Sequence, residues 1–381
     1  MGPGLSSYIV KLDGADGVHL WSKQLGDADV TDLVLAVDAL DNVLVMGTLW
    51  GNLDFGDGPL QSAGDGDILV AKFDPSGNYL WARSFGDVSQ QRGHGIAADD
   101  TGSIVLTGAF FGSIDFGGGP LTSAGDSDAF IVKFDAAGNW VWDRHFGDTG
   151  VQNAKNVAVD GEGNTLVAGS FAGSVDFGGG PLISPLGDSF VVKLDASGNH
   201  LWSRRLGGPS AAASHIVVAF DGVGSALLTG YYSATLDFGG ESLMSAGGYD
   251  LFVAKFDASQ NHTFSKRFGD GSDQYGVSVA ADILGNLVLT GYFEGAVDFG
   301  NGPIASAGSS DILLARLDAS GNPLWSRRFG EAATDQNGRS VAVDKLGNTL
   351  LAGRFYGAVD FGNGPLLSEG ATDIFVAKFS P

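Results

Sequence analysis

Five basic residues of this chain, Arg92, Lys155, Arg339, Lys345 and Arg354, stand apart from the rest of its 21 Lys and Arg. The others recur. Lys11, Lys72, Lys133, Lys193, Lys255, Arg316 and Lys378 sit in one repeated motif, and Lys23, Arg83, Arg144, Arg204, Arg205, Lys266, Arg267, Arg327 and Arg328 sit in a second. A residue that recurs answers first to the fold, so the exceptions are the candidates for chemistry. Aligned on the Ala-x-Asp triplet that follows, the position five before the Asp reads Leu33, His94, Lys155, Ile216, Val277 and Arg339. The position seven before reads Thr31, Arg92, Asn153, Ser214, Tyr275 and Asn337. Two variable positions after a recurrent glycine add Tyr231, Tyr292 and Arg354, and Trp50, Phe111 and Tyr356. Guanidinium, ammonium and imidazole groups rimmed by aromatic rings suit a small anion or an acidic sugar. The candidate ligand-binding set is therefore Arg92, His94, Lys155, His215, Tyr231, Tyr275, Arg339, Arg354 and Trp50. The alternative is that these loops drift and the charges only offset an acidic surface. Trp140, like Trp50, stands outside the repeated Leu-Trp register and is a second candidate for ligand stacking.

Other chemistry is disfavoured. His94 and His215 lack the close spacing of a His-x-x-x-His metal pair, so no metal site is assigned. Six copies each of Ala-x-Asp and Asp-Phe-Gly offer oxygen ligands, but Asp160-Gly-Glu162-Gly-Asn164, the nearest approach to a calcium loop, lacks that motif's glycine and distal glutamate. Asp and Asn in such turns bond their own backbone, so turn chemistry is favoured over calcium and no cofactor is expected. No nucleophile elbow, phosphate loop or dinucleotide fingerprint occurs in a fitting context, and no catalytic residue is assigned. The glycine runs Phe116-Gly-Gly-Gly-Pro120 and Phe177-Gly-Gly-Gly-Pro181 have no helix after them and read as hairpin tips.

Composition narrows the partners. With 44 Asp and Glu the formal charge is −23, which opposes nucleic acid and anionic membrane. Apolar residues make up 44% and charged ones 17%, enough for a substantial core. There are no Cys, so disulfides and thiolate metal sites are excluded. No apolar run is long enough to span a bilayer, and Met1-Gly2-Pro3-Gly4 is not the start of a signal peptide.

The elements that carry the candidates repeat. The Asp closing the Phe-Val-Ala-Lys-Phe-Asp motif falls at Asp13, Asp74, Asp135, Asp195, Asp257 and Asp318, at spacings of 61, 61, 60, 62 and 61. Residues 277 to 329 read as four strands: Val277 to Asp282, Leu287 to Phe293, Ile312 to Asp318 and Leu324 to Phe329, with Gly-Asn turns after the first and third. Here they are strands a to d. Four-stranded antiparallel sheets, apolar on both faces and repeated at fixed period, predict an all-β, six-bladed β-propeller of four-stranded antiparallel blades. Ala36, Ala97, Ala158, Ala219, Ala280 and Ala342 fit an innermost strand where only a small side chain would pass. Short a-to-b and c-to-d turns belong on one side of each blade and the long b-to-c and d-to-a connections on the other. The candidates belong to the long-loop side, at the mouth of an axial channel. Strand c has seven copies, and strands a, b and d have six. The ring is expected to close between N- and C-terminal strands, with Ile374 to Phe379 inside the last blade. Tyr8 to Asp13 is then left as an outermost strand or an exposed edge. The chain reads as a tag-like segment, 1–7, and one propeller domain, 8–381, monomeric, with an edge-strand dimer as the alternative.

The recurring Asp-x-Phe-Val-Ala-Lys, Gly-Asn-x-x-Trp and Ala-x-Asp motifs over residues 7 to 379 resemble the bacterial SBBP beta-propeller repeats of myxobacteria. The family's name specifies seven blades, whereas the strand count here gives six. The resemblance implies a propeller and an extracellular or cell-surface location in a bacterium, and carries no catalytic motif onto this chain. The expected function is a non-enzymatic binding or scaffold propeller for an anionic small molecule, a glycan or a protein partner. The alternative is a polysaccharide-acting hydrolase or lyase with its active site in the channel.

Overall fold

A computed structural model describes residues 7–25, 30–208, 211–332 and 334–381. The tag-like segment 1–7 lies almost wholly outside them. The fold is all-β, a six-bladed β-propeller, with no helix among the described residues. Two compact units divide the chain, residues 1–187 with 192–203 and residues 188–191 with 204–381.

In the first unit, blade 1 places strand a (Val30–Val37), b (Val43–Leu49), c (Asp67–Phe73) and d (Tyr79–Phe85) side by side in that order. Blade 2 repeats it with Gln91–Ala98, Ile104–Phe110, Asp128–Phe134 and Trp140–Phe146. An N-terminal hairpin, Tyr8–Leu12 with His19–Gln24, supplies a c and a d strand and packs on blade 1 through Ile9, Leu25 and Trp21. Blade 3 (Gln152–Val159, Thr165–Asp176, Pro181–Leu194, His200–Gly208) carries the division between the units. In the second unit, blade 4 is Ala211–Phe220, Ala226–Tyr232, Asp250–Phe256 and His262–Phe268, and blade 5 is Gln274–Ala281, Leu287–Phe293, Asp311–Leu317 and Pro323–Phe329. Blade 6 has a (Gln336–Val343), b (Thr349–Phe355) and c (Asp373–Phe379) in one sheet.

Strands b and c are buried along their full length in blades 1 and 2, because both faces of each sheet meet apolar side chains. Between blades 1 and 2 the core joins Leu44, Met46, Ile68 and Val70 to Ile96, Leu106, Phe110 and Phe130. Phe116 of an Asp-Phe-Gly motif closes it, 5.2 Å from Phe85 and 5.0 Å from Phe130. The indole of the strand-d tryptophan sits on the next blade's turn. A Cβ added at Gly138 (φ +78°) would lie 3.0 Å from Trp81, and one at Gly198 would lie 2.9 Å from Trp142. That turn needs glycine for its positive φ and for the ring above it.

One detail bears out the expectation and one differs from it. The b-to-c connection is not plain loop: Ser113–Asp115 pairs with Pro120–Thr122, so the Gly-rich runs are the tips of small hairpins. In blade 5 strand a begins at Gln274, three residues before the expected Val277, because the strand runs on through Gly276 and a bulge beyond the β-branched run on which the expectation rested.

Candidate functional site

The two ends of each blade are built differently. At the short-turn end the Ala-x-Asp carboxylate is consumed by the fold. Asp99 Oδ1 accepts the backbone N–H groups of Thr101 and Ser103, and its Oδ2 meets the Lys133 ammonium of strand c at 3.0 Å. Burial pushes that carboxyl up, but the Thr101 hydroxyl and the Lys133 ammonium outweigh it and hold it below the usual range. The same pair recurs as Lys72–Asp38, Lys193–Asp160, Lys255–Asp221, Arg316–Asp282 and Lys378–Asp344. Lys72 also donates to the carbonyl of Ala136 in the next blade's turn at 3.1 Å. The recurrent strand-c cations are thus structural. The Asp-Phe-Gly carboxylates behave alike: Asp115 Oδ1 accepts from the backbone N–H of Gly117 and Gly119.

At the long-loop end a β-bulge in strand a re-aims one side chain. In blade 2, Gly93 faces Gly108 and Gly95 faces Thr107, so His94 is the additional residue. In blade 3, Ala154 faces Gly169 and Asn156 faces Ala168, which leaves Lys155. Blade 6 leaves Arg339 and blade 5 leaves Val277 in the same way. In blade 4 the additional residue is Ser214, so Ile216 stays in register and buried. The position singled out in the sequence is therefore a bulge position in blades 2, 3, 5 and 6, and in blade 1 the register shift spans it, with Asp32 and Leu33 against Gly47. The glycine opposite makes room for it: a Cβ at Gly108 would lie 2.0 Å from the carbonyl oxygen of Arg92, and one at Gly291 would lie 1.7 Å from that of Tyr275. The sixfold glycine in the middle of strand b, Gly47, Gly108, Gly169, Gly230, Gly291 and Gly353, was the sequence signal for the bulge.

Within the first unit the bulge residues His94 and Lys155 share one open cleft of about 560 Å³ with Arg92, Phe111, Asn153 and Asp126. His94 Nδ1 lies 3.2 Å from the carbonyl of Ala154. Burial, reinforced by the Lys155 and Arg92 cations, holds its imidazole below the ordinary histidine range. Burial also lowers Lys155. Neither Arg92 nor Lys155 forms an ion pair among the described residues, although acids outnumber bases two to one in the chain.

Within the second unit, the remaining candidates form a row. His215 stacks on Tyr231 at 5.8 Å, Tyr231 meets Tyr275 at 4.8 Å, Tyr275 stacks on Tyr292 at 4.6 Å, and the Arg339 guanidinium lies 5.3 Å over Tyr292. Tyr249, which the sequence reading missed because it lies in a b-to-c connection, touches both Tyr231 and Tyr275. The Tyr275 hydroxyl donates to Asp273 at 2.9 Å. Burial first, then that carboxylate, pushes its phenol up. Arg354 stands at a separate cleft of about 430 Å³ with Asp335, Asn337 and Tyr356.

Trp50 lines neither cleft: its indole N–H donates to Thr31 Oγ1 at 3.1 Å. Trp140 opens strand d, where Tyr79, His200, His262 and Pro323 stand in other blades, and its ring covers Gly118. With Arg83, Asp115 and Asn139 it also lines an open cleft of about 790 Å³ beside the hairpin tip.

No family model matches the chain. Over 161 residues it is 30% identical to the uncharacterized WD repeat-containing protein L264 of Acanthamoeba polyphaga mimivirus, which covers 36% of this chain and 11% of that one. Over 230 residues it is 27% identical to the regulatory protein FlaEY of Caulobacter vibrioides, covering 57% of this chain and 23% of that one. The chain therefore spans less than a quarter of the curated relatives it matches. Among solved structures, a Dyadobacter fermentans protein of unknown function aligns over 99% of both chains at 10% identity and a TM-score of 0.48.

Proposed function

We propose that this protein is a binding or scaffold propeller of the SBBP repeat type, working outside the cell, whose long-loop end holds an anionic ligand at Arg92, His94 and Lys155. The propeller fold and the similarity to a WD repeat-containing protein support the binding role. One observation carries the ligand class: two cations and an imidazole from adjacent blades share one cleft with no ion pair to either cation among the described residues. Elsewhere the chain shows what it does with cations that serve the fold. It buries them against carboxylates at about 3 Å, as in Lys72–Asp38 and Lys133–Asp99. A half-buried ammonium without such a partner costs stability, and an incoming anion supplies the missing partner. Phe111 gives the cleft an exposed aromatic wall, and Asp126 bars a ligand that is negative along its whole length.

Calorimetric titration with inorganic phosphate, citrate and a hexuronate at low salt tests this. Saturable binding of at least one anion, weakened about tenfold or more in Arg92→Ala and in Lys155→Met, is expected. Absence of binding by all three, or binding that both variants leave unchanged, contradicts the assignment.

A further inference from the structure

The cleft on blade 6 balances one acid against one base, where the first cleft has an excess of cations. We infer that it is a second, independent site, which takes the vicinal hydroxyls of a neutral sugar ring. Its lining is Ser309, Thr334, Asp335, Asn337, Arg354, Tyr356 and Thr372, all in the second unit.

The site is held in place from behind. Asn337 is 6% exposed. Its amide donates to Ser310 Oγ at 3.0 Å, and its Oδ1 accepts from Arg354 Nε at 3.2 Å. A buried amide thereby holds an exposed guanidinium that lines the cleft. Asp335 is fixed in a similar way, with Oδ1 accepting from the backbone N–H and the hydroxyl of Ser310 at 3.3 Å. Its own backbone carbonyl accepts from the N–H of Tyr356 at 3.1 Å. Hydrogen bonds from the Ser309 side chain and the Ser310 backbone hold the Asp335 carboxyl below the usual range, so it is ionised at neutral pH. Tyr356 is 46% exposed, and its carbonyl is pinned by Thr334 Oγ1 at 2.7 Å and Gln336 Nε2 at 3.0 Å.

An acid and a base therefore face one cleft, and among the described residues they form no salt bridge with each other. That arrangement selects by exclusion. An anion meets Asp335, and a simple cation meets Arg354. A pair of neighbouring hydroxyls satisfies both, one donating to the carboxylate and the other accepting from the guanidinium. Hydrogen bonds to charged groups of this kind are the stronger class. The Tyr356 ring offers a flat apolar wall for a pyranose face, and Ser309, Thr334 and Thr372 add neutral hydroxyls. A zwitterionic amino acid could also bridge the two charges. In so open a cleft, though, its ion pairs would gain little against water, and it would leave the tyrosine face unused.

The test is a protein-observed NMR titration of the full chain with the methyl glycosides of glucose, galactose and mannose, and with glycine as the zwitterion. The expected result is saturable binding of at least one glycoside, no saturation by glycine, and a loss of about tenfold or more in Asp335→Asn and in Tyr356→Ala. Arg92→Ala should leave glycoside binding unchanged, which separates this site from the anion cleft. Should Asp335→Asn lower the melting temperature, Tyr356→Ala alone decides. Failure of all three glycosides to saturate, competition by glycine, or full binding by Tyr356→Ala overturns the proposal.

Discussion

The short-turn and long-loop ends of a blade spend the same residue types in opposite ways. At the short-turn end, Lys133 is 8% exposed and paired with Asp99, and equivalent pairs stand in the other five blades. At the long-loop end, Lys155 lies half-buried with no such partner among the described residues, and the equivalent bulge position holds histidine, valine or arginine elsewhere. The difference lies in the backbone. The tight turn Asp99 to Ser103 uses both oxygens of its carboxylate, one on backbone N–H groups and one on the cation, which holds that position to Lys or Arg in every blade. A bulge is satisfied by its facing glycine alone, so the residue it re-aims can vary without cost to the sheet. Fixed chemistry at one end leaves the residue at the other free to vary.

The sharpest way to break this comparison is to remove a cation at the fixed end. Lys133→Met leaves the buried Asp99 charge unpaired and should cost about 3–5 kcal/mol in chemical denaturation. The equivalent pair of blade 6 is a built-in control: Lys378 is 34% exposed, and Lys378→Met should cost less than about 1 kcal/mol. Equal losses would show that burial does not set the value of these pairs.

A smaller effect tests the bulge. Gly108→Ala drives a methyl group into the carbonyl oxygen of Arg92 and the ring of Phe130, and should destabilise by about 1–3 kcal/mol. Gly51→Ala, whose added carbon meets nothing within 4 Å, should be close to neutral. If Gly108→Ala is tolerated as well as Gly51→Ala, the glycine is not what makes room for the bulge.

The repeat was legible in the sequence because its causes are local. Asp, Gly and Asn at a period near 61 mark turns, and the runs between them mark strands, so Leu287–Phe293 was read to the residue. The candidate positions were legible as departures from that period. Their geometry was not, since a bulge depends on the strand opposite and no single strand announces it. The pairing of Lys133 with Asp99 was missed for the same reason: it joins strands a and c across b, 34 residues apart in sequence. Tyr249 and Asp335 stand in connections between strands, where no turn or strand pattern marks them.

A weaker effect, confined to one pH window, concerns His94. Its folded pKa lies below the ordinary 6.5. As pH falls past about 6.5 the unfolded chain takes up a proton that the folded chain refuses, so the folded state loses stability until its own lower pKa is reached. His94→Gln should flatten that decline in melting temperature, and an unchanged slope would contradict the shift. Carboxylates such as Asp99, whose pKa is lowered, lose their contribution only at lower pH, below their ordinary 3.8.

The smallest expected effect is that of a chelator. Asp38, Asp74 and Asp115 already accept backbone N–H groups at 2.7 to 2.9 Å, so these carboxylates are committed to their turns. Removing divalent cations should leave the melting temperature unchanged. A drop of many degrees would show that metal, rather than turn hydrogen bonding, organises the acidic loops.

The central claim, that the long-loop end is kept for ligand rather than for fold, is tested most directly by measuring stability and anion affinity together on Lys155→Met. The account predicts a melting temperature equal to or above that of the wild type, because a half-buried unpaired ammonium is replaced by an apolar chain of similar length, together with an affinity for the bound anion reduced about tenfold or more. A melting temperature lowered by several degrees with anion affinity intact would place Lys155 among the structural cations and contradict the account.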